Sequence, residues 1–246
     1  MSVQSVVHPR STRPRSLESI VGGLLTVVSA AGIVLTLILG LLVTPKDAVE
    51  GNVFRIFYIH VGTAWNAYAA FFVLFVASVL YLWRDQPIWD RAARIAAEIG
   101  LLFTTIVLIT GSIWGRPVWG VWWAWDARLT TTLVLWFMDL AYLLLRAYTA
   151  DEGRAPRYAA IVGIITFIDV PIVQFSVSWW RTLHPQADVL APGHLAPSML
   201  VALLVSVFAF TILGIALFVQ RFRLETVRDE LRVLRRQAEE LEIESL

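Results

Sequence analysis

Six long apolar runs dominate the chain, at roughly 19–43, 57–83, 95–113, 129–148, 158–178 and 198–219. A helix needs about 20 apolar residues to cross the hydrocarbon core of a bilayer. Only a helix satisfies its own backbone there within one segment. The pattern predicts an all-α polytopic membrane protein with a six-transmembrane-helix bundle. The first run is too long for the apolar core of a secretory signal.

The sixth run gives way to another pattern. Leu224, Val227, Leu231, Leu234, Ala238 and Leu241 alternate steps of three and four, with charged residues between them. That is a short heptad seam. It predicts an amphipathic helix over 221–246 that continues the sixth span. Such a helix either lies on the membrane or its own loops, or docks a partner helix or a second copy. Residues 1–16 are rich in Ser, Pro and Arg and read as a disordered tail. A single membrane domain over 17–220 remains.

Composition agrees: 58% of residues are hydrophobic and 16% charged, against about 25% charged in soluble domains. The basic residues set the orientation. Fifteen of the 20 Lys and Arg fall in the N-tail, the loops after spans two and four, and the C-tail. Positive residues accumulate on the cytoplasmic side, so both termini are expected there. Lys46, Arg55, Arg116, Arg128 and Arg181 fall on the other side. With a net charge of +1, the basic residues report topology and not nucleic-acid binding. The absence of cysteine excludes disulfides, thiolate metal sites and haem attachment at C-x-x-C-H. The single lysine, Lys46, follows no Gly-rich turn, so ATP hydrolysis would fall to a partner.

Between spans three and four the chain reads WGRPVWGVWWAWDARLT, residues 114–130, with Trp114, Trp119, Trp122, Trp123 and Trp125 within twelve residues. Gly115, Pro117 and Gly120 predict that turns break this outward segment. An interfacial aromatic belt explains one or two tryptophans at a helix end, such as Trp65 or Trp83. Five in one loop suit a large flat aromatic ligand, because indole offers a rigid, weakly polar surface. Asp126 is placed to cap the start of span four.

Of the four histidines, His8 lies in the tail. His60 and His184 emerge from different spans at the face that carries the tryptophans. Each has aromatic neighbours: Phe57, Tyr58 and Trp65 for one, Trp179 and Trp180 for the other. Alone, either is an interfacial imidazole. Together across an aromatic slot they suit the axial positions of haem iron. Zinc or copper is the alternative, with His194 as third ligand. Arg55, Arg116, Arg128 and Arg181 are candidates for the two propionates, since guanidinium binds carboxylate bidentately. Snorkelling to lipid phosphate competes for Arg55 and Arg128. Within the spans, Glu98 and Asp139 are expected to pair with Arg94 or Arg146. Asp169, before Pro171, is expected to face the bundle interior, and such acids default to a functional reading.

RIFYIHV in span two, TGSIWGRPVWGVWWAWDARLT and PIVQFSVSWWRTLHP together resemble the tryptophan-rich WWD signature of haem-handling membrane proteins. Within that group the chain is similar to the CcmC family of cytochrome c maturation System I, over roughly residues 20–220. The resemblance implies a non-enzymatic protein that holds haem b at the outer face of the bacterial inner membrane. It carries the axial ligands onto His60 and His184, and the porphyrin platform onto the segment from Trp114 to Asp126. It implies delivery to the haem chaperone CcmE, alongside the ABC transporter subunits CcmA and CcmB and the small membrane protein CcmD. The chain departs from the family pattern at Gly62, where many members have proline and where the glycine is expected to loosen the helix, and in its heptad tail. Two other readings of the same residues are a b-type haem electron-transfer subunit and a haem-translocating transporter subunit.

Overall fold

The computed structural model describes residues 17–149, 154–185, 191 and 194–244. The N-tail with His8 lies outside the described residues, as do most of 186–193. The described residues form an all-α molecule. In chain order the elements are α1 (Leu17–Ile38), α2 (Phe57–Arg84), α3 (Pro87–Trp119), α4 (Ala127–Tyr148), α5 (Ala155–Trp179) and α6 (Pro197–Glu244). A π-helical turn, Leu39–Val43, ends α1, and a 3-10 turn, Val53–Ile56, leads into α2. Six helices are long and apolar enough to cross a membrane, so the protein is a multi-pass membrane protein.

Local chemistry sets the helix ends. Pro87 opens α3, where the missing N–H costs nothing. Asp126 caps α4: its Oδ1 accepts the Leu129 N–H at 2.9 Å. The expected break of the tryptophan segment into turns is corrected for its first third. Helix α3 runs through Trp114, Gly115 and Pro117 and stops only at Trp119. Pro117 removes the bond that an N–H there would return to the Ile113 carbonyl and its ring crowds that carbonyl, yet the helix runs on past it. The stop itself is Gly120 at φ 79°, whose N–H returns to the Arg116 carbonyl at 3.1 Å.

Helix α2 is central and packs against α3, α5 and α6; α4 lies against α5 and α3, and α1 against α6. Small side chains allow the close approach of α2 and α3: Ala67, Ala70 and Ala77 on one, Ala92, Ala93, Ala96 and Ala97 on the other, all buried. Lipid is as apolar as leucine, so packing of this kind drives association within a bilayer. Phe71, Leu74, Ile95, Phe103, Leu135 and Tyr142 fill the spaces left between them. Outward-facing Leu24, Val27, Leu42, Leu204 and Phe208 are exposed, as a lipid-facing surface requires. The expected loosening at Gly62 does not occur. Helix α2 runs unbroken there, and α6 comes so close that a Cβ at Gly62 would stand 2.9 Å from the Phe210 ring.

Helix α6 leaves the bundle as one rod of 48 residues. One side of its extension is tied to α3: Arg221 to Glu98 at 2.5 Å and Arg91 to Asp229 at 2.5 Å. The other side carries Leu224, Val227, Leu231 and Leu234, all exposed.

Candidate functional site

His60 sits in the first turn of α2, and one face of α3 cradles it. Its Nδ1 is 2.9 Å from Thr110 Oγ1. Gly111 lies under the ring: a Cβ there would stand 3.2 Å from His60 Cε1. Trp114 meets the ring edge-on, with centroids 5.6 Å apart. Thr110 and Gly111 lie on the face of Trp114 because they precede it by four and three positions on a helix. Phe54 and Phe57 stack on each other at 4.6 Å and both meet Trp114 edge-on. The indole N–H of Trp114 donates to Glu50 Oε2 at 2.7 Å. Glu50 comes from the α1–α2 loop, where Asp47 Oδ1 accepts the N–H groups of Val49 and Glu50 at 2.8 Å each. Burial first, and then the charge of Asp47, push the Glu50 carboxyl above its usual range, while the Trp114 bond opposes them.

His184 is positioned by a different device. Asp126 Oδ2, on the carboxylate whose other oxygen caps α4, accepts the Thr182 hydroxyl and the Leu183 N–H, the latter at 3.0 Å. Thr182 Oγ1 in turn accepts the His184 N–H at 3.1 Å. Asp126 thus fastens the loop after α5 to the start of α4. His184 Nδ1 lies 2.8 Å from the Pro185 carbonyl. A carbonyl only accepts, so Nδ1 carries the proton and Nε2 keeps a free lone pair. Burial, then the Arg128 charge, lower the His184 pKa to about 4; the Pro185 carbonyl and Asp126 pull weakly the other way. The ring is neutral at pH 7, as a metal ligand must be.

The two histidines lie at the same end of the bundle. Arg128 lies near both of them. Among the buried donors at this end without a hydrogen-bond partner are Arg55 Nε, Arg128 Nη1 and the Trp123 indole N–H. Unpaired buried donors are costly, and an anionic ligand supplies the missing acceptors. Two imidazoles, indole faces and unpaired guanidinium donors fit a haem with its propionates. Among the described residues no group of three or more His, Cys, Asp or Glu side chains is placed to hold a bare metal ion, so His194 is not brought in as a third ligand of a zinc or copper centre.

The CcmC family, described as heme exporter protein C, matches residues 7–237. The chain belongs to this family. Heme exporter protein C of Bradyrhizobium diazoefficiens is 42% identical over 211 residues, covering 83% of this chain and 80% of the relative. The Haemophilus influenzae protein of that name is 38% identical over 231 residues, covering 91% and 93%. That of Escherichia coli K12 is 38% identical over 179 residues, covering 73% of each.

In this CcmC family member the five tryptophans of the signature part company. Trp114 belongs to the packed cluster beside His60. Trp119 is half-buried and folds back over Gly115. Trp123 is half-buried and meets Trp125 edge-on at 5.6 Å. Trp122 and Trp125 are 60% and 77% exposed, so these two present indole to whatever approaches the face. The arginines divide too. Arg55 and Arg128 have buried unpaired nitrogens. Arg116 is exposed and donates to the Gly120 carbonyl at the end of α3. Arg181 is exposed.

Sequence reasoning gave no role to Thr110, Gly111, Glu50 and Thr182, although all but Glu50 fall within the stretches that carry the resemblance. A signal was present for the first two: they precede Trp114 by helical spacing. The pairing of the intramembrane acids needs a correction as well. Glu98 does pair, with Arg221 and, at 3.6 Å, with Arg94. Asp139 does not pair. Arg146 lies about two turns further along α4 and bonds Asp90 in the first turn of α3. Asp139 is fully buried with both oxygens unpartnered, against α3 at Gly100. Asp169 is buried within the bundle, as expected, with one oxygen unpartnered.

Proposed function

We propose that the protein binds haem in the cleft between His60 and His184 and hands it on during c-type cytochrome maturation. One observation carries this reading: imidazoles from α2 and from the loop after α5, the latter neutral, stand at one end of the bundle, beside buried guanidinium and indole donors that lack acceptors. Each histidine offers one axial bond to iron. Arg55 and Arg128 bind the propionates. Trp123 lines the cleft, and the exposed Trp122 and Trp125 form its rim. A porphyrin held at a rim keeps an edge accessible, which delivery requires and storage does not. Exchange of one axial imidazole for a ligand from the acceptor releases the cargo without first exposing iron to water.

The names of the relatives, heme exporter protein C, support a haem-handling role. The finer steps extend the family resemblance. The acceptor is the chaperone CcmE, and the ABC subunits CcmA and CcmB with CcmD complete the assembly. With Lys46 as its single lysine, the chain has no phosphate-binding loop, so hydrolysis belongs to those subunits. The bias of basic residues places the cleft on the outer face of the inner membrane. The cargo on this reading is haem b, held without thioether bonds, since the chain has no cysteine. The absorption spectrum of the purified protein tests the reading. A bis-imidazole haem spectrum is expected, lost in both His60→Ala and His184→Ala. Unchanged spectra in both variants would overturn it.

A further inference from the structure

The cradle under His60 has a chemistry that the ligand assignment alone does not require. Thr110 Oγ1 lies 2.7 Å from the Ile106 carbonyl and 3.3 Å from the Val107 carbonyl, both within its own helix. A hydroxyl has one proton, and these carbonyls can only accept it. With its proton directed to the Ile106 carbonyl, the hydroxyl meets His60 Nδ1, at 2.9 Å, as an acceptor. His60 must then carry its proton on Nδ1 and leave Nε2 as a lone pair, the tautomer that His184 takes from the Pro185 carbonyl.

We infer that Thr110 is a positioning residue that fixes the tautomer and plane of His60, with Glu50 acting in the same cause by clamping Trp114 against the ring edge. Three further contacts make the device specific. Gly111 leaves room for the ring: a Cβ there would crowd Cε1 at 3.2 Å. Trp114 stands at 80° to the ring and limits its rotation on the other side. Trp114 is itself held at its indole N–H by Glu50 at 2.7 Å. The ring is therefore bounded by a hydroxyl, a bare backbone and an indole on one helix face, all set before any ligand arrives. An Nδ1–H donated to oxygen also raises the basicity of Nε2, which strengthens its bond to ferric iron. This inference rests on His60 as an axial ligand, and the experiment separates the two ideas.

Histidine ¹⁵N NMR of the full-length, haem-free protein in lipid nanodiscs reads the tautomer directly, with His60→Ala used for assignment. The wild type and Thr110→Ser are expected to carry the His60 proton on Nδ1. Thr110→Val removes the acceptor at nearly constant volume and is expected to move the proton towards Nε2. Haem titration of the same proteins is expected to show about 10-fold or greater weakening in Thr110→Val, with recovery in Thr110→Ser. The reduction potential of bound haem should rise in Thr110→Val as the ligand becomes less basic. Glu50→Leu should weaken haem binding less, and Glu50→Gln, which keeps an acceptor oxygen, should leave it near wild type. If His60→Ala abolishes the bis-imidazole spectrum while Thr110→Val changes neither tautomer nor affinity, the inference is wrong and the ligand assignment stands. If Thr110→Val shifts the tautomer but His60→Ala leaves the haem spectrum intact, the cradle is real and the ligand assignment fails.

Discussion

The two ends of the bundle both carry arginine, and they use it in opposite ways. At the end where α6 departs, arginine meets carboxylate throughout: Arg91 with Asp229, Arg94 and Arg221 with Glu98, Arg146 with Asp90, and buried Glu225 with Arg221 and Arg228. At the tryptophan end, Arg55 and Arg128 keep buried nitrogens without an acceptor, and the nearby carboxylate of Asp126 is committed to backbone and to Thr182. A saturated network holds helices together. An unsaturated one stores binding capacity, because its desolvation cost is already met and the first suitable anion collects the return. On the proposed reading, the contrast separates arginines that build this molecule from arginines that would hold its cargo.

The sharpest way to break the contrast is to remove both imidazoles. His60→Ala with His184→Ala should abolish haem binding in a spectral titration, with the fold intact by circular dichroism. Next comes an exchange of arginines between the ends. Arg128→Ala should weaken haem binding about 10- to 100-fold, the equivalent of one or two charged hydrogen bonds, with little change in thermal midpoint. Arg221→Ala should do the reverse: haem affinity holds, and roughly 1–3 kcal/mol of stability is lost as Glu98 and Glu225 lose their partner. Equal effects of the two on affinity would erase the distinction.

Asp126 tests whether one carboxylate serves both fold and site. Asp126→Ala removes a helix cap, costing about 0.5–2 kcal/mol, and also releases Thr182 and Leu183. Thermal midpoint and haem affinity should therefore fall together. Asp126→Asn, which still caps, should recover most of the former. The smallest effect is in pH. The His184 pKa is depressed in the folded protein from 6.5 to about 4. As pH falls below 6.5 the unfolded chain takes up a proton that the folded chain refuses, so this residue's contribution to stability is whole above 6.5 and declines towards pH 4. The thermal midpoint of the haem-free protein should fall more steeply over that window than that of His184→Gln.

Much of this was legible in the sequence, for reasons of scale. A bilayer imposes a length and a polarity on every span, so six apolar runs located six helices; of the basic residues read as loop positions, Arg84, Arg91, Arg94, Arg146 and Arg157 instead fall inside those helices near their ends. Asp126 was legible as a cap because the short acidic side chain before Ala127 has that local role whatever lies around it. What escaped depended on contacts between distant segments. Pro117 and Gly115 look like punctuation, yet the helix continues through them and ends two residues beyond Pro117. Asp139 looks like a partner for Arg146, but the chain offered Arg146 a better-placed carboxylate on α3. Thr110 opens the tryptophan-rich stretch, yet a threonine in an apolar helix shows no role until the histidine fifty residues earlier is seen to lie over it.

One feature of the fold reaches beyond the cleft. The hydrocarbon core takes about 20 of the residues of α6, so roughly 28 more, or about 42 Å of uninterrupted helix, stand clear of it. The shaft is held to α3 as far as Asp229, so the part that runs on untied is its last 15 residues, about 22 Å. Its root is bolted to the start of α3, and the far end of α3 is the wall against which His60 rests. One helix, α3, thus meets the shaft at one surface of the bundle and His60 at the other.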